Sequence, residues 1–150
     1  MYTSIHEIPG ISEKEIKADE ALKEKYNSVV YGMFLSTEAF IKGNGEVGGY
    51  AALFCDWLTG IFDIKFKLEI FNSSELLEKI GSGEIDFSGN MMPIEERLNM
   101  FYISDTIAER QLTIVQLQGS RNLDQISLER PLRYAFIANT PLEATVASVT

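Results

Sequence analysis

Apolar and polar positions change period several times along this chain, and each change predicts an element. Ser12-Glu13-Lys14-Glu15 has the spacing of a capping box, with Ile11 and Ile16 placed as a hydrophobic staple, so a helix is expected from about Glu13 to Tyr26. That helix is rich in acids and poor in large apolar residues, which marks a surface or connecting helix. Val29-Val30-Tyr31-Gly32-Met33-Phe34-Leu35 is a short, continuous apolar run, the pattern of a strand buried on both faces. After the loop Lys42–Glu46, residues Val47, Tyr50, Phe54, Trp57, Leu58 and Ile61 recur at helical spacing and predict an amphipathic helix ending near Gly60. Lys65–Ile70 then alternates polar and apolar residues as a strand does, and Asn72 can cap a helix carrying Leu76, Leu77 and Ile80, with Gly81 in the closing position.

A strand at Ile85–Ser88, a short helix through Glu95–Leu98 and a strand at Gln111–Leu117 complete the first series. Strands alternating with helices indicate right-handed crossovers and a largely parallel sheet. Gly119–Asp124 marks a change of segment, followed by an apolar strand at Leu132–Ala138. Asn139-Thr140-Pro141-Leu142-Glu143 then reads as a helix start, with Thr140 as cap and Pro141 in the first helical position. The expected organisation is a leader and linker helix over residues 1–27, a first lobe over 28–118, and a crossover with the truncated start of a second lobe over 119–150.

The chain has 150 residues, of which 45% are hydrophobic and 23% charged, enough to bury the core of one ordinary domain. Its net charge of −9 repels phosphate backbones, which argues against a nucleic-acid or anionic-membrane partner and requires any anion site to be local. The longest apolar runs fall short of the roughly 20 residues that span a bilayer. The first residues lack the basic and apolar regions of a secretory signal. Cys55, the sole cysteine, lies among apolar residues and reads as an inert buried thiol; His6, the sole histidine, lies far from it. No cofactor or metal is implied.

Gly43-Asn44-Gly45-Glu46-Val47-Gly48 matches G-x-G-x-x-G, yet Ser36–Lys42 separate it from the preceding strand, and Glu46 would set a carboxylate against a pyrophosphate. It reads as turn chemistry. Glu84, Asp86 and Glu95-Glu96 raise acid–base catalysis, but spacing alone does not set two carboxyls across a cleft. Arg97 differs, because it follows a strand and loop at the C-terminal edge of a parallel sheet, where open α/β folds bind ligands. Its guanidinium either holds an external carboxylate or pairs internally with Glu95, Glu96 or Asp105, and spacing leaves both open.

From about Val29 to Glu143 the chain resembles the bacterial extracellular solute-binding protein family 3, the two-lobed fold shared with ionotropic glutamate receptor ligand-binding cores. The carriers, in order, are the first strand with Glu38-Ala39-Phe40, Gly45-Glu46-Val47-Gly48-Gly49-Tyr50 opening a helix, Glu75–Phe87 ("ELLEKIGSGEIDF"), Glu95-Glu96-Arg97, Phe101-Tyr102-Ile103-Ser104-Asp105, the strand after Gln111, and Asn139-Thr140. Ile8-Pro9-Gly10-Ile11-Ser12, Ser36–Phe40, Ile85–Gly89 and Ile107-Ala108-Glu109-Arg110 are further similar to sensor modules that precede histidine-kinase or diguanylate-cyclase domains in membrane-anchored bacterial proteins.

The resemblance implies an α/β fold of the type II periplasmic-binding-protein kind, with one nearly complete three-layer lobe and the start of a second. It implies an extracytoplasmic, noncatalytic sensor that closes two lobes on a small carboxylate or amino-acid-like ligand. By that resemblance Arg97 grips the ligand carboxylate, Phe40 forms an aromatic wall, Asn90 and Met92 belong to the ligand-contacting loop, and Asn139 and Thr140 offer N–H and hydroxyl groups from the second lobe. The family usually has threonines where this chain has Met92 and Ile94, and losing those hydroxyls brings less polar or smaller carboxylates into consideration. The alternatives within the same fold are a transporter-coupled solute receptor and a dehydratase-like enzyme. The incomplete second lobe also suggests a homodimer or a segment swap through its open edges.

Overall fold

A computed structural model describes residues 2–89, 91–109 and 114–136. The chain divides into two compact units, Met1–Phe101 and Tyr102–Thr150. The first is mixed α/β, with a parallel sheet and helices on both of its faces.

The first unit opens with a turn of 3-10 helix over Ile5–Glu7, followed by α1 over Glu13–Lys25. The Ser12–Glu15 capping box forms as the spacing predicts: Glu15 N–H donates to Ser12 Oγ at 3.3 Å, and Ser12 N–H donates to Glu15 Oε2 at 2.8 Å. The Ser12 hydroxyl, which donates to Glu15 Oε2 at 2.6 Å, and then the Ser12 N–H hold the Glu15 carboxyl below its ordinary pKa. Most of α1 is exposed, but Asp19 is 2% exposed and forms an ion pair with Lys23 at 2.7 Å. The leader is tied to the body, since Trp57 Nε1–H donates to the Tyr2 carbonyl at 3.0 Å and Ile5 is buried.

Strand β1 spans Ser28–Phe34, β4 Lys65–Phe71 and β5 Phe87–Ser88, and they form a parallel sheet in the order β4-β1-β5. Between β1 and β4 lie β2 (Phe40–Ile41), β3 (Val47–Gly48) and helix α2 (Tyr50–Phe62); β2 and β3 form a small antiparallel hairpin of their own. Helix α3 (Ser73–Ser82) connects β4 to β5. The hairpin is absent from the sequence reading, although Asn44-Gly45 is a strong turn signal that could have revealed it.

The central strand presents different residue types to its two sides. Tyr31 and Met33 pack with Ala51 and Cys55 of α2, and Phe54, Leu58, Phe66, Leu68 and Ile70 surround them. On the opposite side Gly32 lets α3 approach: a Cβ there would collide with Leu76 Cδ1 and lie 3.1 Å from Ile85 Cγ2. Leu76 is 1% exposed, and burying such a side chain is worth about 1.5–3 kcal/mol. Asn72 caps α3 through Glu75 N–H at 2.9 Å.

Some boundaries differ from expectation. Helix α2 runs past Gly60 and ends at Asp63, which adopts φ 50. Helix α3 likewise includes Gly81, and Gly83 at φ 81 is the residue that closes it. In each case the helix continues until a left-handed residue terminates it, so a glycine inside the helix does not mark its end.

The second unit contains α5 over Leu123–Ser127, capped by Asn122, after α4 (Glu95–Leu98) has closed the first. Arg121 and Glu129 bracket α5 with two parallel bonds of 2.7 Å. The expected strand at Gln111–Leu117 is not formed over residues 114–117, and the expected strand at Leu132–Ala138 is not formed over 132–136; the rest of each lies outside the described residues. Apolar, β-prone residues become a strand only when a neighbouring strand accepts their backbone groups. Among the described residues the ladder ends with β5. The expected helix start at Asn139–Glu143 lies outside the described residues.

Candidate functional site

Two loops leave adjacent parallel strands at the same sheet edge, the C-terminal one. The first follows β1. Ser36 shapes it: its Oγ accepts N–H bonds from Glu38 at 3.2 Å and Ala39 at 3.3 Å, while its own N–H donates to the Ala39 carbonyl at 2.8 Å. The turn buries Ala39 completely and delivers Phe40 to the hairpin, where its ring stays 42% exposed.

The same turn closes the start of α2. Ala51 N–H donates to the Glu38 carbonyl at 2.9 Å, and Gly49, at φ 106, allows that carbonyl to pass where a Cβ would collide with it. A helix N–H already bonded to the chain is not available to cradle a phosphate. Gly43–Gly48 therefore serves the hairpin, with Gly45 at φ 83 and Lys42 N–H donating to the Glu46 carbonyl at 2.8 Å. Asn44 and Lys42 together hold the Glu46 carboxyl below its ordinary pKa.

The second loop follows β5. Gly89 permits this exit, because a Cβ there would lie 2.5 Å from Tyr31 Oη and 2.8 Å from Met33 Sδ. Backbone bonds then tie the loop to α4: Ile94 N–H reaches Met92 O at 2.9 Å, and Arg97 N–H reaches Ile94 O at 2.9 Å. Met92 is partly buried.

Arg97 is buried, at 9% exposure. Among the described residues of the first unit its guanidinium makes no ion pair, so Glu95 and Glu96 leave it unneutralised. Among the described residues the side-chain atoms sealed from solvent without a hydrogen-bond partner are the carboxylate oxygens of Asp19, which has the Lys23 ammonium at 2.7 Å as its ion-pair partner, and no Arg97 nitrogen is among them. The stem of Arg97 is thus packed while its guanidinium nitrogens keep a path to water, an arrangement common for long cationic side chains.

Both carboxylates near β5 are engaged within the fold. Glu84 pairs with Lys79 at 2.6 Å, and Asp86 Oδ2 accepts the Val30 N–H at 2.7 Å, pinning β5 to β1. Burial pushes the Cys55 thiol up to about 11, which suppresses the thiolate a nucleophile needs. Among the described residues no group of His, Cys, Asp and Glu side chains could hold a metal ion, and no helix is long and apolar enough to cross a membrane.

Of the residues singled out by the sequence, Met92 lies in the β5–α4 loop and Arg97 in α4 directly after it, while Phe40 opens β2 after the loop that leaves β1 at the same sheet edge. Asn90, Asn139 and Thr140 lie outside the described residues. The sequence reading missed the burial of Asp19, which a pattern based on charge alone assigns to solvent.

No protein-family model matches the chain, and no curated protein matches it. Among solved structures it is similar to a point mutant of the arginine-bound form of domain 1 from TmArgBP, with 19% identity and a TM-score of 0.46. The match covers 54% of this chain and 64% of that one, so the chain spans under two thirds of that domain.

Proposed function

We propose that this chain is the ligand-sensing part of an extracytoplasmic, membrane-anchored bacterial signalling protein, and that it binds a small carboxylate or amino-acid-like molecule without turning it over. The observation that carries this reading is Arg97, a residue packed in α4 just after a strand-end loop, with no acidic partner among the described residues of its own unit. With its nitrogens open to water and no acid of its own, the guanidinium can take up an external carboxylate, for which its fork is shaped. The resemblance of Glu95-Glu96-Arg97 and the flanking segments to solute-binding sensor modules supports the same role.

The absence of turnover is argued from Glu84 and Asp86, each engaged within the fold. Met92 and Ile94 beside Arg97 favour a ligand with an apolar body behind its carboxylate. Signalling would follow if the ligand binds a closed arrangement better than an open one.

The test is a thermal-shift screen of small carboxylates and amino acids on the wild-type chain and on Arg97→Ala. Ligand at about a hundred times its Kd adds about 2.7 kcal/mol, an easily measured rise in Tm. The rise should vanish in Arg97→Ala. A screen without any shift in the folded wild-type protein, or an equal shift in the variant, would sink the proposal.

A further inference from the structure

Among the described residues the sheet has an open side at β4, because the strand order is β4-β1-β5. In a parallel strand the backbone groups of alternate residues point to opposite sides. Lys65 N–H donates toward β1, to the Asn27 carbonyl at 3.4 Å, so Phe66, Leu68 and Ile70 direct their backbone groups outward. Phe66 N–H is occupied, since it donates to Thr59 Oγ1 at 3.0 Å, and that hydroxyl in turn donates to the Cys55 carbonyl at 2.8 Å. Among the described residues no hydrogen bond reaches the outward groups of Leu68 and Ile70. A groove of about 740 Å³ follows this edge, with Leu53 and Asp56 of α2 and Val47 and Gly48 of the hairpin in its walls.

Such an edge is a template for another strand unless charge or shape prevents it. The charges here do not prevent self-association; they select one register for it. Lys67 and Glu69 are both exposed on one face, and Leu68 lies between them. When β4 is laid antiparallel against a second copy of itself about Leu68, each Lys67 faces the other copy's Glu69. The same register sets the outward-directed residues opposite one another, Leu68 against Leu68 and Phe66 against Ile70, as hydrogen-bonded pairing requires. Centring the pair on Lys67 would oppose two lysines, and centring it on Glu69 would oppose two glutamates, both unfavourable.

We propose that two copies of this chain pair through β4 about a dyad at Leu68, joining their sheets into one. Leu68 N–H and C=O of each copy bond to those of the other. Ile70 N–H reaches the Phe66 carbonyl of the second copy, and Thr59 keeps the Phe66 N–H. The pairing also covers Leu68 and Ile70, which are half-buried in the single chain. This inference is independent of the reading of Arg97.

The test measures mass by light scattering over a concentration series for the full chain, for Lys67→Glu and Glu69→Lys singly, for their equimolar mixture, and for the double reversal. The wild type should reach twice the 16.8 kDa chain mass. Each single reversal opposes like charges at both pairs and should remain at the single-chain mass. The mixture should return to the double mass, because one variant presents acids at both positions and the other presents lysines. The double reversal should pair as the wild type does. Both side chains are exposed, so circular dichroism should be unchanged in every variant. A wild type that stays monomeric, a dimer indifferent to the reversals, or a mixture that stays monomeric would overturn the proposal.

Discussion

Residues 28–34 and 114–117 are alike in composition and opposite in fate. The first run becomes β1, with Val29, Tyr31 and Met33 each under a tenth exposed. In the second, Ile114 is 60%, Val115 87% and Leu117 86% exposed, and no strand forms. The difference lies in what flanks each run. Strand β1 has β4 on one side, β5 on the other, α2 over Tyr31 and α3 over Gly32. Strand propensity permits a strand, whereas neighbours that take up its hydrogen bonds and cover its side chains produce one.

If that contrast is right, substitutions in the layers around β1 should be costly and those in the exposed run should be nearly silent. The largest effect is expected for Leu76→Ala, which empties the space above Gly32 and should cost about 2–5 kcal/mol in denaturant unfolding. A loss below 1 kcal/mol would show that α3 is not part of the cooperative core.

Gly49→Ala comes next. It places a Cβ against the Glu38 carbonyl at a backbone angle that glycine alone adopts freely, and about 1–3 kcal/mol should be lost. The same variant should loosen the turn carrying Phe40, which amide exchange at Glu38 and Ala39 would detect. Unchanged stability and protection would show that the turn does not depend on Gly49.

A smaller effect is expected from pH. Burial raises Tyr31 to about 12, and it raises Cys55 from an ordinary value of 9.0 to about 11. The folded state therefore holds these protons more tightly than the unfolded state, so stability is full below pH 9.0 and falls as pH rises toward 11. Thermal melts across that window should show the decline, and Cys55→Ala should reduce it. A flat profile in the parent would mean that both groups are open to solvent.

The smallest effect is expected for Val115→Ser, within about 0.5 kcal/mol of the parent. A loss as large as that of Leu76→Ala would place Val115 in a packed environment and erase the contrast.

Much of the first unit could be read directly from the sequence. The Ser12–Glu15 box, the Asn72 cap, the alternation in β4 and the helical spacing through Phe54 and Trp57 each correspond to an observed element. The two expected strands beyond residue 110 were misread over their described residues for one reason: each was inferred from apolar content without a partner strand. The helix ends near Gly60 and Gly81 were misplaced because a helix tolerates an internal glycine at about 1 kcal/mol when its flanks are packed. Arg97 was identified as a candidate by its place after a strand, but spacing could not say whether it pairs with its acidic neighbours.

The sequence by itself determined the features whose partners lie within a few residues, namely helix caps, turns and the period of each apolar face. Their hydrogen bonds and contacts close locally, so they depend little on the rest of the fold. Tertiary structure alone decided which apolar runs became strands, that Asp86 would bind the Val30 N–H 56 residues away, that Asp19 would be buried, and that Arg97 would have no carboxylate partner among the described residues of its own unit. Burial and pairing of this kind arise from segments remote in sequence, and a local pattern contains no information about which of them will meet.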